Sequence, residues 1–207
     1  MRTSTIVALA GLVAAATAGC QHNKPAPSER VYRSQPVCDG ATRRDEFEIF
    51  RAGFSSELNM SEVEALQELE GQYIEYTMMR LTYPEHSTEG EVRLYTASVV
   101  DKKVAMFKLV ETYQLYNEAE NIDVALMSHY RIGEANELFA VDIENTRVPE
   151  GSKEAEKQAF CAALFEKTAG LRAAAAKSYQ ACADRAQAAK TVNNWSRRCQ
   201  LKLERSR

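Results

Sequence analysis

Apolar residues recur along most of this chain at steps of three and four, the signature of amphipathic helices that turn one face to a common core. Phe47, Phe50, Phe54 and Leu58 share such a face and predict a first helix. Ser61 and Glu64 have capping-box spacing and open a second, whose stripe Val63, Leu66, Leu69, Tyr73, Tyr76 ends near Tyr83-Pro84. A polar loop from Glu85 to Thr88 leads to a third stripe, Tyr95, Val99, Met106, Leu109, Tyr113 and Tyr116. Asn121 or Asp123 begins a fourth, in which His129 and Asn136 interrupt an apolar seam running from Ile122 to Ile143. Beyond Pro149-Glu150-Gly151, Ser152 is the expected cap of a long fifth helix with Phe160, Leu164, Leu171, Tyr179 and Cys182 on its stripe. After a turn near 191–194, Val192, Trp195, Cys199 and Leu203 align on a sixth. No stretch reads as a strand. The expectation is an all-α protein of about six helices, folded as antiparallel hairpins or an irregular helical bundle.

The first residues stand apart from that pattern. Arg2 precedes a small-to-apolar run from Ile6 to Ala16, which is shorter than the roughly 20 residues that cross a bilayer and reads as an export signal. Thr17-Ala18-Gly19-Cys20 resembles the lipobox of bacterial lipoproteins, with Thr17 where those proteins usually carry leucine. The resemblance implies cleavage after Gly19 and acylation of Cys20. An ordinary cut after Ala16-Thr17-Ala18 is the alternative. Gln21 after the lipid cysteine points, by the same resemblance, to the outer membrane. Residues 21–37, with Pro25, Pro27 and Pro36 and no apolar period, read as a tether. The organisation expected is therefore a signal peptide at 1–19, a lipidated tether at 20–37, and one helical domain at 38–207.

Cysteine count bears on the choice of cut. Lipidation of Cys20 leaves Cys38, Cys161, Cys182 and Cys199, an even set suited to an oxidising compartment. Cys182 and Cys199 lie nearly equidistant from a turn around residues 190–191, so antiparallel helices bring them level; Cys38 then pairs with Cys161. Two other pairings remain open on sequence grounds.

The formal charge of −3 and a pI near 5.8 argue against nucleic acid as a partner. His22, His86 and His129 show no metal-ligand spacing, and the cysteines lack close C-x-x-C pairs, so no metal or other cofactor is expected. Paired acids, Glu68/Glu70, Glu89/Glu91, Glu118/Glu120 and Asp142/Glu144, are the residue types of glycosyl-transfer chemistry but read here as solvated helix faces. No nucleophile elbow, P-loop or dinucleotide glycine pattern appears. Tyr73, Tyr76 and Tyr83 on one helix, with Tyr113 and Tyr116 on another, are candidates for a partner-binding groove, as are His129 and Asn136; the same residues serve equally to fill hairpin interfaces. The basic end from Arg197 to Arg207 suits the negative pole of a last helix.

Tyr130-Arg131-Ile132-Gly133, Phe139-Ala140, Val148-Pro149 and then Tyr179, Cys182, Ala186, Trp195 and Cys199 resemble the tetratricopeptide-type repeat lipoproteins and periplasmic proteins of myxobacteria, over residues 124–205. In such repeats a small residue on one helix admits a close neighbour and aromatics fill the gap, parts that fall to Gly133 and Phe139. No strict 34-residue period is present and residues 38–120 carry no repeat signature. The combined expectation is a non-enzymatic, lipid-anchored envelope adaptor that binds another periplasmic or outer-membrane protein; a wall or glycan hydrolase and a periplasmic small-ligand carrier are the alternatives.

Overall fold

A computed structural model describes residues 38–205 apart from Ser56, Glu85 and Ser87. The expected signal segment, Cys20 and the tether lie outside the described residues. Those described form an all-helical bundle with no strand: α1 Met60–Met78, α2 Glu89–Gln114, α3 Ile122–Glu144, α4 Glu154–Ala188 and α5 Asn194–Arg205, preceded by one 3-10 turn at Arg44–Glu46. None of these helices is long and apolar enough to cross a membrane.

Local chemistry sets the helix starts. Asn59 and Glu62 form a reciprocal capping box on α1, each side chain 2.9 Å from the other's backbone N–H. This lies two residues before the expected pair; Ser61 instead donates to Asn59 Oδ1 at 2.6 Å. Thr88 and Glu91 make the corresponding box on α2, and Asn121 Oδ1 accepts from the amides of Asp123 and Val124 at the head of α3. Ser152 is not the cap of α4, because its hydroxyl donates to Pro149 O at 2.7 Å; Glu156 accepts from the Lys153 amide. The turn before α4 uses Gly151 at φ +76°, a left-handed conformation that glycine adopts without a Cβ penalty.

The first expected helix, the one over Phe47 to Leu58, is absent. Residues 42–55 run as a strap across the bundle, non-helical beyond the 3-10 turn; Phe47, Ile49, Phe50, Ala52 and Phe54 are partly buried, and from Phe50 onward the inward positions alternate with exposed Arg51, Gly53 and Ser55. That period of two belongs to extended backbone. The phenylalanines reach the core as the sequence suggests, but by a different backbone route.

α3 is the axis of the bundle. It touches every other helix, and most of its residues are buried, including Leu126, Met127, Tyr130, Leu138 and Val141. α4 is its most extensive neighbour. Cys182 beside Leu126, Tyr179 beside Gly133 and Arg172 beside Glu144 show the two running antiparallel. α2 also runs against α3, with Tyr113 meeting Ser128 and Lys102 meeting Asp142. α1 runs alongside α3, since Glu70 meets Arg131 and Tyr76 meets Ala135.

Both disulfides join the expected partners. Cys182–Cys199, with Cα atoms 6.2 Å apart, fastens α5 to α4 across the turn at Lys190; Cys38–Cys161, at 5.5 Å, ties the start of the strap to α4.

Candidate functional site

α3 carries an unusual load of charge for a core helix: Asp123, Arg131, Glu134, Asp142 and Glu144 are each 2 % exposed or less. Ionised groups at that depth are tolerated only when paired and hydrogen-bonded. Arg131 has the densest set of partners. Its Nε and Nη2 make a bidentate pair with Glu70 at 2.8 and 2.6 Å, and its Nη1 donates to Glu134 at 2.6 Å and to Phe50 O at 2.7 Å. The guanidinium also lies 4.2 Å from the Tyr73 ring centroid and 5.3 Å from that of Trp195. Glu134 in turn accepts from the hydroxyls of Tyr73 at 2.5 Å and Tyr130 at 3.2 Å and from the Phe50 amide at 3.3 Å.

Further along α3, Asp142 lies between Arg44 at 2.6 Å and the fully buried Lys102, whose ammonium also donates to Met79 O. Burial pushes the Lys102 ammonium below its ordinary value, with Asp142 acting against that shift. Glu144 accepts from Thr168 at 2.7 Å and pairs with Arg172. The acids at 142 and 144 are thus not the solvated face that alternation suggests. Glu68, Glu89, Glu118 and Glu120 do face solvent.

The strap meets this charged helix through its main chain. Both backbone groups of Phe50 are answered, the N–H by Glu134 and the C=O by Arg131. Asn145, at the end of α3, accepts from the Arg44 amide at 3.1 Å and donates to Thr42 O at 2.8 Å. Asp123 accepts from both the amide and hydroxyl of Ser55. The strap's aromatic side chains stand against α5 and α3, with Phe50 edge-on to Trp195 at 5.3 Å and to Tyr130 at 5.5 Å. Trp195 is 1 % exposed, and its indole N–H has no hydrogen-bond partner among the described residues.

Beside the strap opens a cleft of about 990 Å³. Glu137, Glu144, Thr168, Arg172, Tyr179 and Lys202 line its inner wall. Most of these groups engage one another: Lys202 lies 2.6 Å from Glu137, which also accepts from the Tyr179 hydroxyl at 2.7 Å.

The tyrosines expected to line a groove are mostly inside. Tyr73, Tyr76 and Tyr113 are 0, 2 and 0 % exposed, with hydroxyls bonded to Glu134, to Ala135 O and to Glu70 respectively. These residues fill the helix interfaces in this structure and present no open surface to a partner. Tyr116 is half-buried against the core. Asn136 is buried with its amide donating to Ile132 O at 2.8 Å, whereas His129 is half-buried, its imidazole held below the ordinary value by burial with Glu118 opposing. His129 thus keeps partial exposure while Asn136 is turned inside. Among the described residues no group of three His, Cys, Asp or Glu side chains is placed to hold a metal.

Sequence reading missed Arg131, Glu134 and Lys102, since charged residues at helical spacing read as solvated. The available signal was spacing: Glu134 falls four residues after Tyr130 and three after Arg131, and Lys102 falls between Val99 and Met106 on the third stripe.

No family model matches the chain, and no curated protein or solved structure matches it.

Proposed function

We propose that this protein is exported, acylated on Cys20 and held at the bacterial envelope, where its helical bundle serves as a non-catalytic adaptor for another envelope protein. The observation that carries the reading is the fate of the sulfurs. All four described cysteines are joined in two disulfides, so none of them is left to pair with Cys20. Such bonds persist in oxidising compartments, and a cysteine at a lipobox-like position is the group a lipid would modify.

Metabolic labelling with a clickable fatty acid, followed by mass analysis of the N-terminal peptide, tests the anchor. Label on Cys20, lost in Cys20→Ser with release of the protein from membranes, is the expected result; an unacylated N-terminus at Gly19 would overturn it. Crosslinking in intact cells tests the adaptor role. Turnover of a wall fragment without any co-purifying protein would replace that role with a hydrolytic one. The cleft of about 990 Å³ favours one second reading, carriage of a polar small molecule, since its size falls within the roughly 300–1,000 Å³ of ligand sites. Thermal shift with a panel of amino acids, peptides and sugars separates carrier from adaptor.

A further inference from the structure

The strap is bound as an extended peptide is bound. We infer that the groove it fills, between α1, α3 and α5, is a docking site for an extended aromatic segment of a partner protein, and that residues 42–55 are an intramolecular placeholder. The inference deepens the adaptor reading and rests on it, because it names what the adaptor would hold.

Three observations support it. First, the groove reads main chain: Thr42 O, Arg44 N, Phe50 N, Phe50 O and Ser55 N are all met by side chains of α3 or of its final cap. Main-chain recognition supplies affinity that any extended segment can collect, while alternate side chains supply specificity. Second, the alternate residues turned inward are Phe50, Ala52 and Phe54: Phe50 meets the Trp195 and Tyr130 rings and the Arg198 guanidinium, the last 5.0 Å from its centroid, Phe54 lies against Trp195, and Ala52 packs against the core. An aromatic residue, a small one two positions later and a second aromatic after two more is therefore the chemistry a partner needs. Third, the placeholder is an incomplete ligand. It leaves the buried Trp195 indole N–H, 1 % exposed, without an acceptor among the described residues, and a buried donor left unpaired is destabilising.

The Cys38–Cys161 bridge fixes the strap's N-terminal end beside its groove, and the chain's continuation into α1 at Met60 holds the other end. Such tethering gives the strap a high effective concentration that a partner has to overcome. Opening the bridge weakens the internal competitor and leaves the groove's own residues intact.

The test uses the full disulfide-bonded protein and its Cys38→Ser/Cys161→Ser variant, each titrated with a labelled synthetic peptide of residues 42–55. Anisotropy and the emission of Trp195, the only tryptophan in the sequence, report binding. Saturable uptake that is roughly tenfold tighter in the variant, and lost when the peptide carries Phe50→Ala, is the expected result. No saturable binding to either protein overturns the inference. If the variant does not fold, hydrogen exchange of the unaltered protein decides: strap amides that open locally, ahead of α3, support exchangeability, and strap amides protected to the level of α3 refute it. A dimer linked through Cys38 and Cys161 of different copies, without peptide uptake, would assign the groove to a second copy and overturn the partner assignment. These outcomes do not depend on the lipid, so failure here leaves the test of Cys20 untouched.

Discussion

The Tyr179 ring lies so close to Gly133 that a Cβ built on that glycine would stand 2.6 Å from Tyr179 Cε1 and 2.8 Å from Cδ1. The absent side chain is what lets α4 settle against α3 at its midpoint. Tyr179 has little room to yield, because it is 1 % exposed and its hydroxyl is bonded to Glu137. Gly133→Ala is therefore expected to destabilise the protein by about 1–3 kcal/mol, despite alanine's better helix propensity. Chemical denaturation checks this; an unchanged or raised midpoint would show that the contact relaxes.

Arg131 neutralises two carboxylates, Glu70 and Glu134, while closing the Phe50 carbonyl. Arg131→Met keeps the length of the stem and strands a buried negative charge on Glu134, a loss of about 3–5 kcal/mol. Adding Glu134→Gln recovers part of it if the stranded charge is the cause. A double-mutant cycle reads the coupling directly.

The two disulfides close loops of different length, with sequence separations of 17 and 123. By the chain-entropy argument, removing Cys182–Cys199 costs about 3 kcal/mol and removing Cys38–Cys161 about 5 kcal/mol. Paired Cys→Ala variants, compared by urea unfolding, test both the size and the order. Equal losses would mean that native-state contacts rather than loop closure dominate.

Stability also responds to pH at both ends of the scale. Burial, reinforced by nearby Glu134 for Tyr73 and Glu137 for Tyr179, raises those phenols and that of Tyr76 well above 10.0. Their contribution is complete below the unfolded value of 10.0 and declines as pH rises past it, because only the unfolded chain then releases the protons. His129 works in the opposite sense: with its folded value lowered by burial, its contribution is complete above 6.5 and fades as pH falls below that. Spectrophotometric titration is expected to show these tyrosines ionising only on unfolding, and His129→Gln is expected to flatten the decline in stability below pH 6.5. Free titration of all nine tyrosines in the folded protein would contradict the burial described here.

Much of this arrangement was legible in the sequence because stripes such as Leu66, Leu69, Tyr73, Tyr76 have a spacing that only one secondary structure buries together. The strap escaped for the same reason. Phe47, Phe50 and Phe54 also fall at helical steps, and the competing alternation of Phe50, Ala52 and Phe54 is too short to outweigh them. Groove contacts from Arg131 and Glu134, invisible along the chain, decide between the two. The site was less legible than the fold. Tyr73, Tyr76 and Tyr113 carry polar tips that suggest a surface, yet each tip finds its acceptor inside the bundle.

The covalent link from Cys38 to Cys161 also has a mechanical consequence. A pull on any residue before Cys38 enters the bundle at α4 through sulfur and bypasses the noncovalent contacts of the strap, which would otherwise be peeled away one by one. Tension at that end is thus borne by α4, the longest of the described helices, and the seating of Phe50 against Trp195 is insulated from it.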